Sequence, residues 1–173
     1  MNETLRNLKT RRSVRAYTAQ QVEESLLEQI LEAGTYAPTG SGRQTPVIVA
    51  IQNPTAVAQV SRMNAAVNGA SGDPFYGAPT VLVVLAERTR GTYLLDGAAV
   101  ITTLLNAAHA LGLGSCWIHR AKEEFESEEG KALLRKWGVE GDYEGVGHVI
   151  LGYAAEAPAE PAPRKANYIV RVK

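Results

Sequence analysis

Thr80-Val81-Leu82-Val83-Val84-Leu85-Ala86 is an unbroken apolar run rich in β-branched residues. Nothing in it alternates between apolar and polar, so both of its faces must be covered, as in a central strand with helices on either side. Phe75-Tyr76-Gly77-Ala78-Pro79 introduces it, and the breakers Asn68-Gly69 and Gly72-Asp73-Pro74 separate it from the segment before. Outward from this strand, apolar runs and helical patterns interleave. Val47-Ile48-Val49-Ala50-Ile51, Cys116-Trp117-Ile118 and 146–151 read as further strands. Interleaving of this kind, without internal repeat or shift of composition, makes the class α+β or α/β around an apolar central sheet, in one domain spanning 1–173.

The helical patterns are specific. Thr18-Ala19-Gln20-Gln21 has the spacing of a capping box, and Val22, Leu26, Leu27, Ile30 and Leu31 follow at helical intervals up to Gly34 as a stop. Asn53-Pro54 opens a helix with Val57, Val60, Met63 and Val67 as its stripe. Residues 93–111 are apolar around most of their circumference, interrupted by Asp96, Thr102, Thr103, Asn106 and His109; this predicts a buried helix that packs on the sheet and on a second subunit. Residues 122–137 predict one exposed helix with Phe125, Leu133, Leu134 and Trp137 turned inward.

With 173 residues, the chain can bury about 70 % of its unfolded surface. Eighteen basic and 18 acidic residues cancel, which disfavours a nucleic acid or an anionic membrane as partner of the whole surface. One cysteine, Cys116, excludes an internal disulfide and suits a reducing compartment; with no apolar leader after Met1-Asn2-Glu3-Thr4, a cytoplasmic protein is expected.

Against that neutral background stands Thr10-Arg11-Arg12-Ser13-Val14-Arg15. Three guanidinium groups and a hydroxyl within five positions could converge on one small anion, with phosphate the natural guest; the alternative is a solvated basic turn. Two more stretches are candidates for close backbone approach to a ligand. Ala37-Pro38-Thr39-Gly40-Ser41-Gly42-Arg43-Gln44-Thr45-Pro46 feeds a strand, and its Thr39, Ser41, Arg43 and Gln44 could bond the edge of a flat polar heterocycle. Gly112-Leu113-Gly114-Ser115 is either a helix cap with a tight turn or room for a ring. A Pro/Ala spacer over 154–163 delivers Arg164-Lys165 and the alternating Tyr168-Ile169-Val170-Arg171-Val172, a tail that predicts a strand on its own or a partner's sheet edge.

Taken in order, the Arg cluster, the Pro-Thr-Gly-Ser loop, the Ala78-Pro79 strand entry, the Leu111-to-Trp117 turn and Pro163-Arg164-Lys165 resemble the FMN-dependent nitroreductase family, in its short form. That resemblance implies a three-layer α/β/α fold with a mixed, mostly antiparallel sheet, and a homodimer with an exchanged C-terminal strand in which the arm 154–173 reaches the partner. It implies an FMN site at the subunit interface. Arg11, Arg12, Ser13 and Arg15 would hold the phosphate and the pyrimidine side. Pro38, Thr39, Gly40, Ser41 and Gln44 would come from the other subunit, Leu113, Gly114 and Ser115 would lie along the ring, and Arg164 and Lys165 would close the phosphate end. Asn64 would contact the ribityl chain or ring, with Asn68 the alternative.

The implied activity is ping-pong hydride transfer from NADH or NADPH through FMN to a nitroaromatic, a quinone or a similar acceptor, with no catalytic side chain because the cofactor carries the chemistry. A specialised reductase of the same fold (an enone reductase, a dehalogenase or a flavin-fragmenting enzyme) and a non-enzymatic flavin-binding protein remain alternatives. Where relatives have an aromatic after the loop proline, this chain has Val47, and Arg43 adds a charge that could favour an acidic acceptor or the NADPH phosphate. His109, His119 and His148 have no metal spacing. His148 is expected in the core, and His119-Arg120 is left open as pocket-lining.

Overall fold

A computed structural model describes residues 1–89 and 91–173. Ten main elements follow in order: α1 (Glu3–Thr10), α2 (Glu24–Thr35), β1 (Pro46–Ile51), α3 (Pro54–Val67), β2 (Thr80–Glu87), α4 (Tyr93–Ala110), β3 (Gly114–Ile118), α5 (Ala121–Glu126), α6 (Glu128–Lys136) and β4 (Tyr143–Gly152). The strands form one sheet in the order β1-β2-β4-β3, and all three ladders are antiparallel. The one parallel pairing among the described residues is an isolated bridge between Ser13 and Ser115, beside the edge strand β3.

β2 is the centre that its sequence predicts: every residue from Thr80 to Ala86 is buried. Leu82 and Val84 point toward α2 and α4, while Val81, Val83 and Leu85 point toward α3, α5 and α6, giving two cores and three layers. A bulge at Val146 interrupts the β2–β4 ladder, because Val84 faces Gly147 whereas Leu85 faces Gly145. Both flanking glycines are required by close approach: a Cβ on Gly145 would strike the Ala121 carbonyl and one on Gly147 the Trp117 indole.

Several local expectations are corrected. Thr18 caps no helix; its N–H donates to the Tyr153 carbonyl at 2.9 Å, and α2 starts six residues later. Gln21 is a cross-brace instead, accepting from Thr80 Oγ1 and donating to the carbonyls of Gln52 and Pro79. Gly34 does not stop α2 but lies within it, where a Cβ would come within 2.6 Å of Leu104 Cδ2. The pattern over 122–137 divides into α5 and α6 because Ser127 is extended and its Oγ accepts from Gly130 N at 3.0 Å, a cap that restarts the helix.

α4 is buried along one face only. Leu95 is 70 % exposed, and Ala98, Thr102 and Asn106 continue that open face. Trp117 is also more exposed than a core aromatic, because β3 is an edge strand. The tail forms no strand within this chain, and Tyr168, Ile169, Val170 and Val172 stand out from it. Asn53 behaves as predicted, with Oδ1 accepting from Ala56 N ahead of Pro54. Among the described residues, no helix is long and apolar enough to cross a membrane.

Candidate functional site

The Arg cluster follows directly from the end of α1, so the nearest helix terminus presents carbonyls and the negative end of its dipole. Among the described residues, no helix N-terminus lines this corner, so side-chain cations supply the attraction for an anion. The segment is pinned on both sides. Val14 N donates to the Ser115 carbonyl at 3.0 Å, tying it to β3, while Ala155 N donates to Ala16 O at 2.9 Å, tying it to the chain leaving β4. Gly114 permits this approach, since its missing Cβ would lie 3.0 Å from the Val14 side chain.

Arg11, Arg12, Ser13, Arg15 and Arg164 line an open cavity of about 390 Å³, with Glu160 and its neighbours on the arm as the facing wall. Their guanidinium groups are not equivalent. Arg12 Nη1 is turned back onto the Lys9 carbonyl at 2.9 Å and onto its neighbour's, and Arg164 is bonded to the Ala162 carbonyl. Arg11 Nη1, in contrast, is buried without a partner; Ser115 Oγ, on the strand bridged to Ser13, is also buried and unpartnered but does not line this cavity. Buried donors left in this state are costly unless something accepts from them. A cradle of donors with an orphaned guanidinium nitrogen fits the phosphate end of a flavin nucleotide, and the residues present are compatible with FMN.

His109, at the end of α4, belongs to the same corner. Its Nε2 is 2.9 Å from Thr10 Oγ1, and burial, reinforced by the Arg11 and Arg12 charges, holds its pKa below the usual histidine value. Tyr17 braces the other side, donating to the Val14 carbonyl at 2.8 Å, and burial pushes its phenol well up.

The remaining candidates lie elsewhere in this protomer. Thr39 and Gln44 line a separate cavity of about 360 Å³ between α2, α4 and β1, together with Pro46 and Ile48. Pro38, Gly40 and Ser41 belong to the same loop. Lys165 lies outside the Arg-lined cavity, with Nζ 5.4 Å from the Tyr168 ring centroid. Asn64 is fully buried. Its amide donates to the His119 carbonyl at 2.8 Å and to Glu124 Oε2 at 3.0 Å, and its oxygen accepts from Arg120 Nε and Nη2. Asn68 caps the C-terminus of α3 and is exposed. His119 is exposed and Arg120 is committed to Asn64, so neither lines the Arg cavity.

Sequence reading gave no role to three buried acids. Glu124 sits with Oε2 3.0 Å from His148 Nε2, both side chains fully enclosed, although neither ring nitrogen makes a well-directed hydrogen bond. Glu144 receives Arg88 and Tyr93, each at 3.0 Å; burial would raise its pKa, but those bonds and the Lys122 charge outweigh it and hold it low. Asp96 is the third. The visible signal for Asp96 was a carboxylate inside an otherwise apolar segment, whereas Glu124 is one acid in the charged run 122–129 and Glu144 follows Asp142, so neither stood out.

An α+β protein with helices on both faces of an antiparallel sheet, and with an anion cradle where the N-terminal segment crosses the sheet edge, is the class that this geometry defines. The sequence model of the nitroreductase family matches residues 8–70 and 54–153, and the chain belongs to that family. Its fold matches a nitroreductase with bound FMN from Bacteroides fragilis, 32 % identical, with a TM-score of 0.92 over 100 % of both chains. A nitroreductase with bound FMN from Desulfitobacterium hafniense is 26 % identical, with a TM-score of 0.90 and the same full coverage. A protein of Archaeoglobus fulgidus named as an NADH dehydrogenase/NAD(P)H nitroreductase is 28 % identical over 158 residues, which are 88 % of this chain and 86 % of the relative.

Proposed function

We propose that this protein is a cytoplasmic FMN-dependent oxidoreductase that takes reducing equivalents from NADH or NADPH and delivers them to nitroaromatic, quinone or similar acceptors. The observation that carries the reading is the buried, unpartnered Arg11 Nη1 at an Arg-lined cavity in a member of this family. FMN, when bound, would accept a hydride from the nicotinamide and release reducing equivalents to an acceptor at the same ring face, in ping-pong order. The protein's part is recognition and exclusion. Arg11 and Arg15 neutralise the phosphate, Ser13 and Ser115 supply hydroxyls, Arg12 turns from its carbonyls to the anion, and Arg164 with Lys165 covers the end. The backbone at Leu113 and Gly114 lies along the ring, where the absence of a Cβ on Gly114 leaves the Val14 segment room to approach.

We assign the protein a homodimeric site. No residue of the loop 38–44 lines its own chain's Arg cavity, which suits a loop that meets the partner's flavin. The open face of α4 and the unpaired apolar tail offer surface for the partner, and β1 is a sheet edge on which a partner's 168–172 could add a strand. Asn64 stands in this reading as a buried brace behind the site.

The test is the visible spectrum of the purified protein. Bound oxidised flavin is expected, bleached by NADH or NADPH and restored by a nitroarene or quinone. Protein that is colourless and takes up no FMN on titration would overturn the reading. Reoxidation by a halogenated phenol or an enone alone would point to a specialised reductase of the same fold.

A further inference from the structure

We propose that Asp96 is a positioning residue that holds the loop 38–44 in the shape with which it meets a flavin; this rests on the reading of that loop as a wall of the FMN site. Asp96 is 6 % exposed, in the first turn of α4. One carboxylate oxygen accepts the Gly40 N–H at 2.9 Å, and the other is 3.4 Å from Thr92 Oγ1. A charge in the first turn of a helix is favoured by the helix dipole, and a carboxylate accepting a backbone N–H makes a strong bond.

The loop needs such a hold. Ser41 at φ 55° and Gln44 at φ 53° are non-glycine residues in the left-handed region, on either side of Arg43 and with Gly42 at φ 64° between them. Backbone of this kind persists only where its surroundings over-determine it. Within the loop, Gln44 N donates to Thr39 Oγ1 at 3.0 Å and Gly42 N to the Thr39 carbonyl at 2.9 Å. Those bonds close the turn on itself, whereas the bond from Gly40 to Asp96 fastens it to the body. The seat is tight, because a Cβ on Gly40 would run into Thr92 Oγ1. The next residue, Gly97, is equally tight on the sheet side: its missing Cβ would lie 2.5 Å from Val146 Cγ2, at the β4 bulge. Two consecutive residues of α4 therefore register the loop against the sheet.

The experiment uses the full-length FMN-loaded protein. Tryptic cleavage after Arg43 is followed by mass of the fragments, and FMN release after dilution is followed by recovery of flavin fluorescence. Asp96→Ala should raise both rates about tenfold, the effect of losing one hydrogen bond to a charged group, and Asp96→Asn, which keeps the acceptor oxygen, should restore both. Gly40→Ala should behave as Asp96→Ala does, and adding Thr92→Ala to it should reverse the effect by removing the obstructing hydroxyl. Unchanged cleavage in Asp96→Ala and Gly40→Ala would overturn the proposal. So would a loss of thermal stability in Asp96→Ala that Asp96→Asn does not recover, since Asp96 would then serve helix packing alone. Faster cleavage with unchanged FMN release would uphold the latch and overturn the loop's place at the flavin.

Discussion

Arg11 and Arg12 are adjacent, chemically identical and differently employed. Arg12 already commits its Nη1 to the Lys9 and Arg11 carbonyls at the end of α1, while Arg11 carries a buried Nη1 with no partner. Arg11→Ala should therefore weaken FMN binding by about one to two orders of magnitude, the scale of a lost charge-assisted hydrogen bond, and Arg12→Ala by less. Titration of apoprotein with FMN checks this, and Arg120→Ala serves as the control, because its guanidinium is engaged by Asn64 away from the cavity. Equal affinities in all three variants would reduce the cluster to a solvated turn.

His109 makes a second residue-scale prediction. Its folded pKa is lowered, so the unfolded chain binds the proton more readily, and stability is lost as pH falls from the unfolded value near about 6.5 through the lowered folded one. Melting temperatures between neutral pH and the acid side of that window should fall more steeply in the wild type than in His109→Gln.

The elements are held by close approaches and by one buried polar chain. Gly145 and Gly34 both stand where a methyl group would collide, but with different neighbours. A Cβ on Gly145 meets the backbone carbonyl of Ala121, which cannot move without shifting α5, whereas one on Gly34 meets the tip of Leu104, which can rotate. Gly145→Ala should therefore be destabilising by at least about 1–3 kcal/mol and Gly34→Ala by clearly less, as read from denaturant midpoints. The chain from Arg120 through Asn64 and Glu124 to His148 links α3, α5 and β4 within the core between Phe75 and Phe125. Glu124→Ala would leave His148 and the Asn64 amide facing an apolar void, and a loss of about 3–5 kcal/mol is expected. Replacing Glu124 and His148 together by apolar residues should cost less, because the imidazole is then not left buried without its partner. The sequence pattern predicts these elements well where one face is simply apolar, as in α3, or both are, as in β2. It missed the α5–α6 break because Ser127 and Gly130 act through a local cap that leaves the apolar spacing intact.

At the scale of the molecule, the arm and the open faces carry the expectation of a dimer. Four apolar or aromatic residues of the tail, Tyr168, Ile169, Val170 and Val172, are left in solvent by their own chain, and Leu94 and Leu95 on α4 are likewise uncovered. Removal of 159–173 should give a smaller species in sedimentation and poor FMN retention, while the two cores on either side of the sheet remain folded. A truncated protein that stays dimeric and keeps its flavin would place the partner contacts elsewhere.

The sequence by itself determined the layering and the family. A doubly covered strand such as Thr80 to Ala86 can only be central, and the order of the Arg cluster, the Gly-rich loop and the turn before β3 survives any change in surface detail. It also determined that Arg11 to Arg15 would lie together, since neighbours in the chain are neighbours in space. Only the tertiary structure decided which of those arginines has a free donor, that Ser115 sits against Ser13, and that Asn64 is occupied within the core. Those outcomes depend on contacts between residues tens of positions apart. Asp96 shows why: its charge reads as an interruption in a hydrophobic helix until folding brings Gly40, 56 positions earlier, to within a hydrogen bond of it.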